Sequence, residues 1–366
     1  MNFLLRKNLY LGLGLLLMAS GCADIKQDHF EARQVGFAEL TGWEYDNHLA
    51  ALETFRNSCG ILAVKSRPVT SESGIDISSL LWGSLCNEAG QVMNNMQARE
   101  FFERRFVPYR IANNGKEQGL FTGYYEPVLH GSLRKSGDYK YPLYAAPPEL
   151  KNQKPYYSRA EIDQGALAKR GLEIVWVDDP VMLFFMQIQG SGRVRLKDGR
   201  ELRIGYGDQN GHPYVSLGKI MGDEGYLPKD GINFFTIRQW LYENPNKAIS
   251  LMQRNPSYVF FKIIDKPIVV GSIGAPLTPK RSIAIDSKYI PYGLPLYMET
   301  ELPGNYGATT FRRLMVAQDT GGAIRSPVRA DIFFGAGDEA EYLAGYMKNQ
   351  GIYSLLVPKE ITSQMQ

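Results

Sequence analysis

The sequence predicts a mainly β protein of barrel type with helices attached to it, and three observations carry that expectation. From Gly119 onward the chain falls into short apolar and aromatic runs separated by Gly, Pro and Asp-Gly turns. Asp198-Gly199 stands between Arg193-Val-Arg-Leu196 and Glu201-Leu-Arg-Ile204, a two-residue hairpin signal. The runs do not alternate regularly with helical segments, which argues against βαβ units and for short strands closed into barrels.

The elements follow in order. Met1 to Asn8 carries Arg6 and Lys7, Leu9 to Met18 is almost wholly apolar, and Ala19-Ser20-Gly21-Cys22 follows. A basic start, a short apolar stretch and small residues mark a secretory signal, too short for a spanning helix. Ala23 to Gln34 reads as a polar spacer. Helices are expected over Asp46–Ser58 and Asn87–Phe106. In the second, Val92, Met96, Phe102 and Phe106 share a face, with Arg99 and Glu103 inside the same stripe. Strands are expected at Leu120–Tyr125, Val175–Val177, Leu183–Ile188 and Gly192–Leu196. Helical periodicity returns at Val215–Met221, Phe235–Glu243 and Ala248–Arg254. Short strands then run through Tyr258–Ile264, Ile268–Val270, Ser282–Ile285, Leu296–Met298, Leu314–Ala317 and Ile332–Phe334. A late helix, Glu339–Asn349, precedes a final strand, Ser354–Val357.

The 366 residues suffice for two domains, with 44% apolar and 22% charged residues and a net charge of +3. That charge is too small, and too evenly spread, to point to nucleic acid. Twenty-two tyrosines suit a sugar-binding surface as well as a β core. Export leaves Cys59 and Cys86 as an even pair, so a disulfide is the favoured reading, with two buried thiols as the alternative. The histidines, His29, His48, His130 and His212, never fall at ligand spacing, so neither a metal centre nor a Ser-His-Asp triad is expected. Gly190-Ser191-Gly192 lacks the spacing of a nucleophile elbow. Gly335-Ala-Gly337 follows a strand and opens a helix, but no βαβ unit precedes it, so no dinucleotide cofactor is expected.

Acid–base chemistry is then left to carboxylates. Asp286, Asp319 and Asp331 each stand where a short apolar run meets a glycine- or proline-bearing loop. Burial disfavours the charged carboxylate, and a second carboxylate nearby does so further. An acid still protonated near neutral pH is what protonation of a glycosidic oxygen requires. Capping of turns is the plainer alternative for each aspartate taken singly.

Ser282-Ile-Ala-Ile-Asp286, Ile290-Pro-Tyr-Gly293, Ala317-Gln-Asp-Thr-Gly-Gly-Ala-Ile324 and Ala330-Asp-Ile-Phe-Phe-Gly335 together resemble the three-aspartate domain. Phe121-Thr-Gly-Tyr-Tyr-Glu-Pro127, Met186-Gln-Ile-Gln-Gly-Ser-Gly192, Asn210-Gly-His-Pro-Tyr214, Ser216-Leu-Gly-Lys219 and Asn255-Pro-Ser-Tyr-Val-Phe-Phe261 resemble the membrane-bound lytic murein transglycosylase A family. The small residues before Cys22 resemble a bacterial lipobox, which implies lipid attachment at Cys22. Ala23 after it implies the periplasmic face of the outer membrane.

The resemblance implies a double-psi β-barrel catalytic domain built from residues 23–122 together with 212–366. A smaller β-barrel is inserted at 123–211, and residues 1–22 are the signal peptide. It implies a glycan groove between the two, faced by Tyr124, Tyr125, Gln187, Gln189 and Ser191, with buried packing as the alternative for the tyrosines. By the same carry-over Asp331 is the single catalytic acid/base, Asp319 a supporting carboxylate in the same site, and Asp286 a substrate-binding residue that orients the groove. The implied activity is cleavage of the bond between N-acetylmuramic acid and N-acetylglucosamine in peptidoglycan, without water, to leave 1,6-anhydromuramic ends. Implied partners are glycan strands, the membrane holding the lipid, and other cell-wall enzymes. The loop Arg325-Ser-Pro-Val-Arg-Ala330 is about one residue longer than the family's form, which leaves the contacts of Arg325 and Arg329 open. Two rival readings stand beside this one: a hydrolytic muramidase using Asp319 and Asp331 as a pair, and a lipid-anchored protein that binds the wall without cutting it.

Overall fold

The computed structural model describes residues 27–64, 72–265, 268–304 and 309–365. The expected signal and Cys22 lie outside the described residues. In chain order, β1 (Phe30–Gln34) lies antiparallel to β2 (Phe106–Asn113), with α1 (His48–Leu62), α2 (Ser79–Ala89) and α3 (Asn95–Arg105) between them. Each helix starts where a side-chain oxygen takes an otherwise orphaned N–H: Asn47 accepts from Ala50, Ser78 from Leu81 and Asn94 from Gln97. The helix expected over Asn87–Phe106 is two helices. The chain breaks after Ala89, and Asn94 restarts it, an asparagine being favoured at a cap over a helix interior. Arg56 of α1 holds the break, donating from Nε to the Ala89 carbonyl at 2.9 Å. The two charged residues within the apolar stripe satisfy each other: Arg99 Nε donates to Glu103 at 2.6 Å, and the Trp43 indole donates to Glu103 at 2.8 Å. Cys59 and Cys86 are bridged, with Cα atoms 5.6 Å apart, tying α1 to α2. Closing that 27-residue separation contributes about 3 kcal/mol. The expected spacer to Gln34 ends instead as β1, paired along its whole length with β2, a strand that no alternation in its sequence announces.

The chain continues through β3 (Gly119–Glu126), β4 (Val128–Ser132), β5 (Tyr141–Tyr144), α4 (Arg159–Asp163), β6 (Glu173–Val177), α5 (Pro180–Gln189), β7 (Gly192–Leu196) and β8 (Glu201–Gln209). It then passes α6 (Leu217–Asp223), α7 (Phe234–Glu243), α8 (Pro245–Met252) and β9 (Val259–Ile264). One sheet has the order β5-β6-β4-β7-β8-β9. Its Asp198-Gly199 hairpin is present, with Arg195 opposite Glu201 and Gly199 at φ 86°. The strand expected at Leu183–Ile188 is a helix, α5. Asp179 Oδ1 accepts from Val181 and Met182 at 2.9 and 3.0 Å, Pro180 occupies the first turn, and Gly190 ends the helix at φ 79°. The run is apolar all round because the helix is buried nearly all round, so periodicity cannot tell it from a central strand. The sheet takes its last strand, β9, from beyond residue 211, where the sequence reading closes the insertion; three helices intervene before the chain returns to pair with β8.

The other sheet adds β10 (Ser282–Ile285), β11 (Pro295–Leu302), β12 (Thr309–Asp319), β13 (Arg329–Ala336), α9 (Asp338–Tyr346) and β14 (Lys348–Pro358). Its order is β1-β2-β14-β11-β12-β10-β13-β3, and β14 pairs with β3 as well. The strands β14-β11-β12-β10-β13-β3 therefore close into a barrel, which removes their free edges. β14 is long enough for three partners: Lys348–Gly351 meets β3, Ile352–Leu355 meets β11 and Ser354–Pro358 meets β2. This is why the late helix stops at Tyr346 and the final strand starts well before Ser354. Ile268–Val270 is not a strand; only Val270 forms a bridge, to Pro276.

The barrel interior and α1 to α3 share one core, in which Phe55, Phe101, Phe102 and Phe106 pack ring on ring. His48, at the start of α1, is fully buried against Trp43, ring centroids 4.3 Å apart, and among the described residues neither of its ring nitrogens has a hydrogen-bond partner. Burial holds its pKa below the ordinary 6.5, with Asp46 pulling the other way. As pH falls below 6.5 the unfolded chain takes a proton that the folded one refuses, so stability falls with it. We expect His48→Phe to raise the melting temperature at pH 7, by the equivalent of about 1–3 kcal/mol for the orphaned nitrogens. The gap between variant and parent should widen from pH 7 to pH 5; a variant that melts below the parent at both would contradict this.

Candidate active site

The three aspartates are ordered by one short strand. β10 lies between β12 and β13, parallel to the first and antiparallel to the second, and Ala284 is the Cα partner of both Asp319 and Asp331. Beyond β13, Thr122 of β3 stands opposite Asp331. Asp319, Ala284, Asp331 and Thr122 thus form one row across four strands. The backbones of the two aspartates stand about 10 Å apart, two strand spacings.

Asp319 ends β12 beside the turn at Gly271–Gly274. A Cβ on Gly271 would lie 2.4 Å from the Gln318 carbonyl, so only glycine lets the turn come this close. Ser272 in that turn donates to Asp319 Oδ1 from its N–H at 2.9 Å and its hydroxyl at 2.6 Å. The Thr320 N–H adds a third bond to Oδ1 at 2.9 Å, and the Tyr124 hydroxyl donates to Oδ2 at 2.9 Å. Burial nonetheless lifts the carboxyl above the usual aspartate range, against the pull of these donors, foremost Ser272. Tyr124 is lifted well above the ordinary tyrosine value, first by burial and then by Asp319.

Asp331 has different company. Its Oδ1 accepts from the Thr122 hydroxyl and from Arg329, two residues earlier on the same face of β13. Arg329 Nη2 also donates to Thr122 Oγ1 at 2.8 Å. Among the described residues nothing donates to Oδ2. Tyr214 approaches from the segment before α6: the Asp331 charge adds to the burial that raises its pKa.

The remaining expected residues divide. Gln189 Oε1 accepts the Tyr125 N–H at 3.1 Å, which fixes α5 against β3, and Ser191 follows it half-exposed. Tyr125 is a correction: it is 2% exposed and its hydroxyl donates to Glu341 at 3.1 Å, so it packs between α9 and α7 and does not face a groove. Gln187 is likewise buried and accepts from Arg159. Asp286 is buried too. It accepts the Lys288 N–H at 3.1 Å and the Ser326 N–H at 3.0 Å, pinning the loop before β13 where Ser326 holds a left-handed φ of 113°. Asp286 therefore orients that loop and is not open to a ligand. In the same loop Arg325 turns back to the Ile324 carbonyl at 3.2 Å.

The sequence reading missed Thr122, Ser272, Tyr214 and Arg159 as site residues, and it left open the contacts of Arg329, which the structure gives. Arg159 is 4% exposed and donates to the Asn255 and Ser257 carbonyls at 3.1 and 2.7 Å. Asn210 and Asn255, also buried, bind the backbones of Tyr157, Pro256, Tyr258 and Val215. The Asn210 and Asn255 motifs are thus a scaffold that brings Tyr214 up to Asp331. Thr122 sat inside the quoted Phe121–Pro127 motif and Tyr214 inside the Asn210 motif; Ser272 carried no signal. Among the described residues no group of His, Cys, Asp and Glu is placed to hold a metal ion.

Asp319 tests the geometry. An asparagine keeps an acceptor for Ser272 and Thr320, and it does not titrate. We expect Asp319→Asn to fold and to gain stability relative to the parent as pH rises above 3.8, because the parent's raised carboxyl favours folding only while protonated. Asp319→Ala, which orphans the donors, should cost about 2–4 kcal/mol. Denaturant unfolding at pH 4 and pH 7 reads both, and equal losses for Asn and Ala would refute the account.

Comparison with known proteins comes down on one family. The profile of the MltA specific insert domain matches residues 120–262 and that of the 3D domain residues 281–357. Membrane-bound lytic murein transglycosylase A of Vibrio cholerae is 36% identical over 244 residues, 65% of this chain and 65% of the relative. The protein of the same name from Escherichia coli K12 is 37% identical over 236 residues, 63% of each chain, so these matches span just under two thirds of the relatives' length. The crystal structure of a membrane-bound lytic murein transglycosylase from Agrobacterium tumefaciens superposes with a TM-score of 0.82 at 32% identity, covering 92% of this chain and all of that one. That of E. coli MltA with bound chitohexaose gives 0.69 at 27% identity, covering 91% and 93%. With both domain profiles, the named relatives and the superposed structures in agreement, the chain belongs to the membrane-bound lytic murein transglycosylase A family.

Proposed function

We propose that this chain is a peptidoglycan lytic transglycosylase in which Asp331 alone acts as acid and base. One observation carries the reading. Both oxygens of Asp319 are held by Ser272, Thr320 and Tyr124, whereas Asp331 keeps Oδ2 free of donors among the described residues. Hydrolysis by paired carboxylates needs both of them available, one for the leaving group and one for water or the sugar. A reaction in which the substrate supplies its own nucleophile needs one.

In that reaction a protonated Asp331 gives its proton to the oxygen bridging N-acetylmuramic acid and N-acetylglucosamine. The bond from the muramic C1 to that oxygen breaks, and the N-acetylglucosamine leaves with its hydroxyl restored. The C6 hydroxyl of the muramic residue bonds to C1 and returns its proton to Asp331. No water enters, so the two products together have the composition of the substrate. Asp319 and Tyr124 shape the site beside Asp331. Tyr214, Gln189 and Ser191 line the approach, and the binding of chitohexaose by E. coli MltA supports a glycan as ligand.

The same reading takes the closed strands as a double-psi barrel, supported by the parallel pairs β10–β12 and β13–β3 within it. It places the chain at the periplasmic face of the outer membrane, anchored by lipid at Cys22. Relatives named membrane-bound support this, as does the lipobox pattern, and no helix among the described residues is long and apolar enough to cross a membrane. Glycan strands are the substrate, and other cell-wall enzymes are its expected partners there.

The test is digestion of purified peptidoglycan by the protein without residues 1–22. Muropeptides lighter by one water at the muramic end are expected, and Asp331→Asn should lose about 10²–10⁴-fold in rate. Hydrated reducing ends would move the assignment to a muramidase. Binding without cleavage by either protein would leave a wall-binding role.

A further inference from the structure

The structure assigns a second residue to the reaction: Arg329 is a positioning residue that reserves one oxygen of Asp331 and leaves the other to react. The assignment rests on the reading of Asp331 as the acid/base. Its geometry begins with register. Arg329 stands opposite Leu120, Asp331 stands opposite Thr122, and residues two apart on a strand share a face. The guanidinium therefore folds back along β13 toward its own strand's carboxylate. Its Nη1 donates to the Leu120 carbonyl at 3.3 Å, the Ala330 carbonyl at 2.6 Å and Asp331 Oδ1. Its Nη2 donates to Thr122 Oγ1 at 2.8 Å. The side chain is 14% exposed, so this fork is built into the barrel wall.

Two consequences follow from donor counting. Thr122 accepts from Arg329, which orients its own hydroxyl proton toward Asp331 Oδ1. Oδ1 is thus held by two donors whose directions are fixed by the two carbonyls behind the guanidinium. Oδ2, with no donor among the described residues, is the oxygen that delivers the proton to the bridging oxygen and recovers it from the C6 hydroxyl. Between those transfers Asp331 is a carboxylate, and the preorganised guanidinium stabilises it at that stage without rearrangement. A lysine has the charge but not the planar fork that binds two carbonyls, a hydroxyl and a carboxylate together. Arg329 touches no substrate in this account; it acts through Asp331.

The experiment compares turnover of soluble glycan strands by the parent, Arg329→Met, Arg329→Lys and Asp331→Asn. Arg329→Met is expected to lose about 100-fold in kcat with KM nearly unchanged. Millimolar methylguanidinium should restore part of that loss, which no merely structural role of the side chain explains. Arg329→Lys should lose about tenfold. If Asp331→Asn is inactive while Arg329→Met retains kcat within threefold, the assignment of Arg329 fails and the acid/base reading stands. If Asp331→Asn turns over like the parent, the acid/base reading fails and takes this one with it. Should Arg329→Met melt early, Arg329→Lys decides: full kcat overturns the proposal, and a loss at unchanged KM supports it.

Discussion

The pairing of β10 with both β12 and β13 is the constraint on which the site depends. β10 is four residues long and every one of them is buried. Because Ala284 is the register partner of Asp319 on one side and Asp331 on the other, a shift of one residue on either side would turn a carboxylate to the opposite face. Closure of the barrel through β14 holds that register, since a closed sheet has no edge strand free to slide.

On this frame two chemically identical side chains acquire different roles. Asp319 is surrounded by neutral donors, and burial is the largest influence on its ionisation. Asp331, among the described residues, is tied by a cation and a hydroxyl through one oxygen only. The proposed division of labour between the two carboxyls rests on this difference in surroundings. The contrast arises from neighbours contributed by four separate segments: Ser272, Thr320, Tyr124 with Thr122, and Arg329.

The segments around Tyr214 are held by a similar economy of parts. Among the described residues Arg159 makes no salt bridge and is held by carbonyls, by Gln187, and by the faces of Phe184 and Tyr258 at 4.7 and 5.3 Å. Together with Asn210 and Asn255 it locks the chain where it leaves the six-stranded sheet after β8 and where it re-enters it at β9. A buried polar network of this kind specifies one arrangement of the connecting segments, because each alternative strands a donor or an acceptor. Gly123 shows the same tightness on β3: a Cβ there would meet the Phe334 ring at 2.2 Å.

The sequence alone determined the mainly β character, the hairpin at Asp198-Gly199, the principal helices, the disulfide pair and the strand-and-loop setting of Asp319 and Asp331. These rest on local rules of periodicity, turn chemistry and capping, and on motifs whose residues are contiguous. It misread α5 because a helix buried on all sides has no polar face to show its period. It misplaced Tyr125, Gln187 and Asp286, since a polar residue near an active strand looks the same whether it faces ligand or locks a loop. Only tertiary structure decided which oxygen of which aspartate is already occupied. Arg329 and Thr122 lie 207 positions apart, and a strand register, not a motif, brings them together. Such registers are set by long-range pairing and closure, which no window along the chain contains.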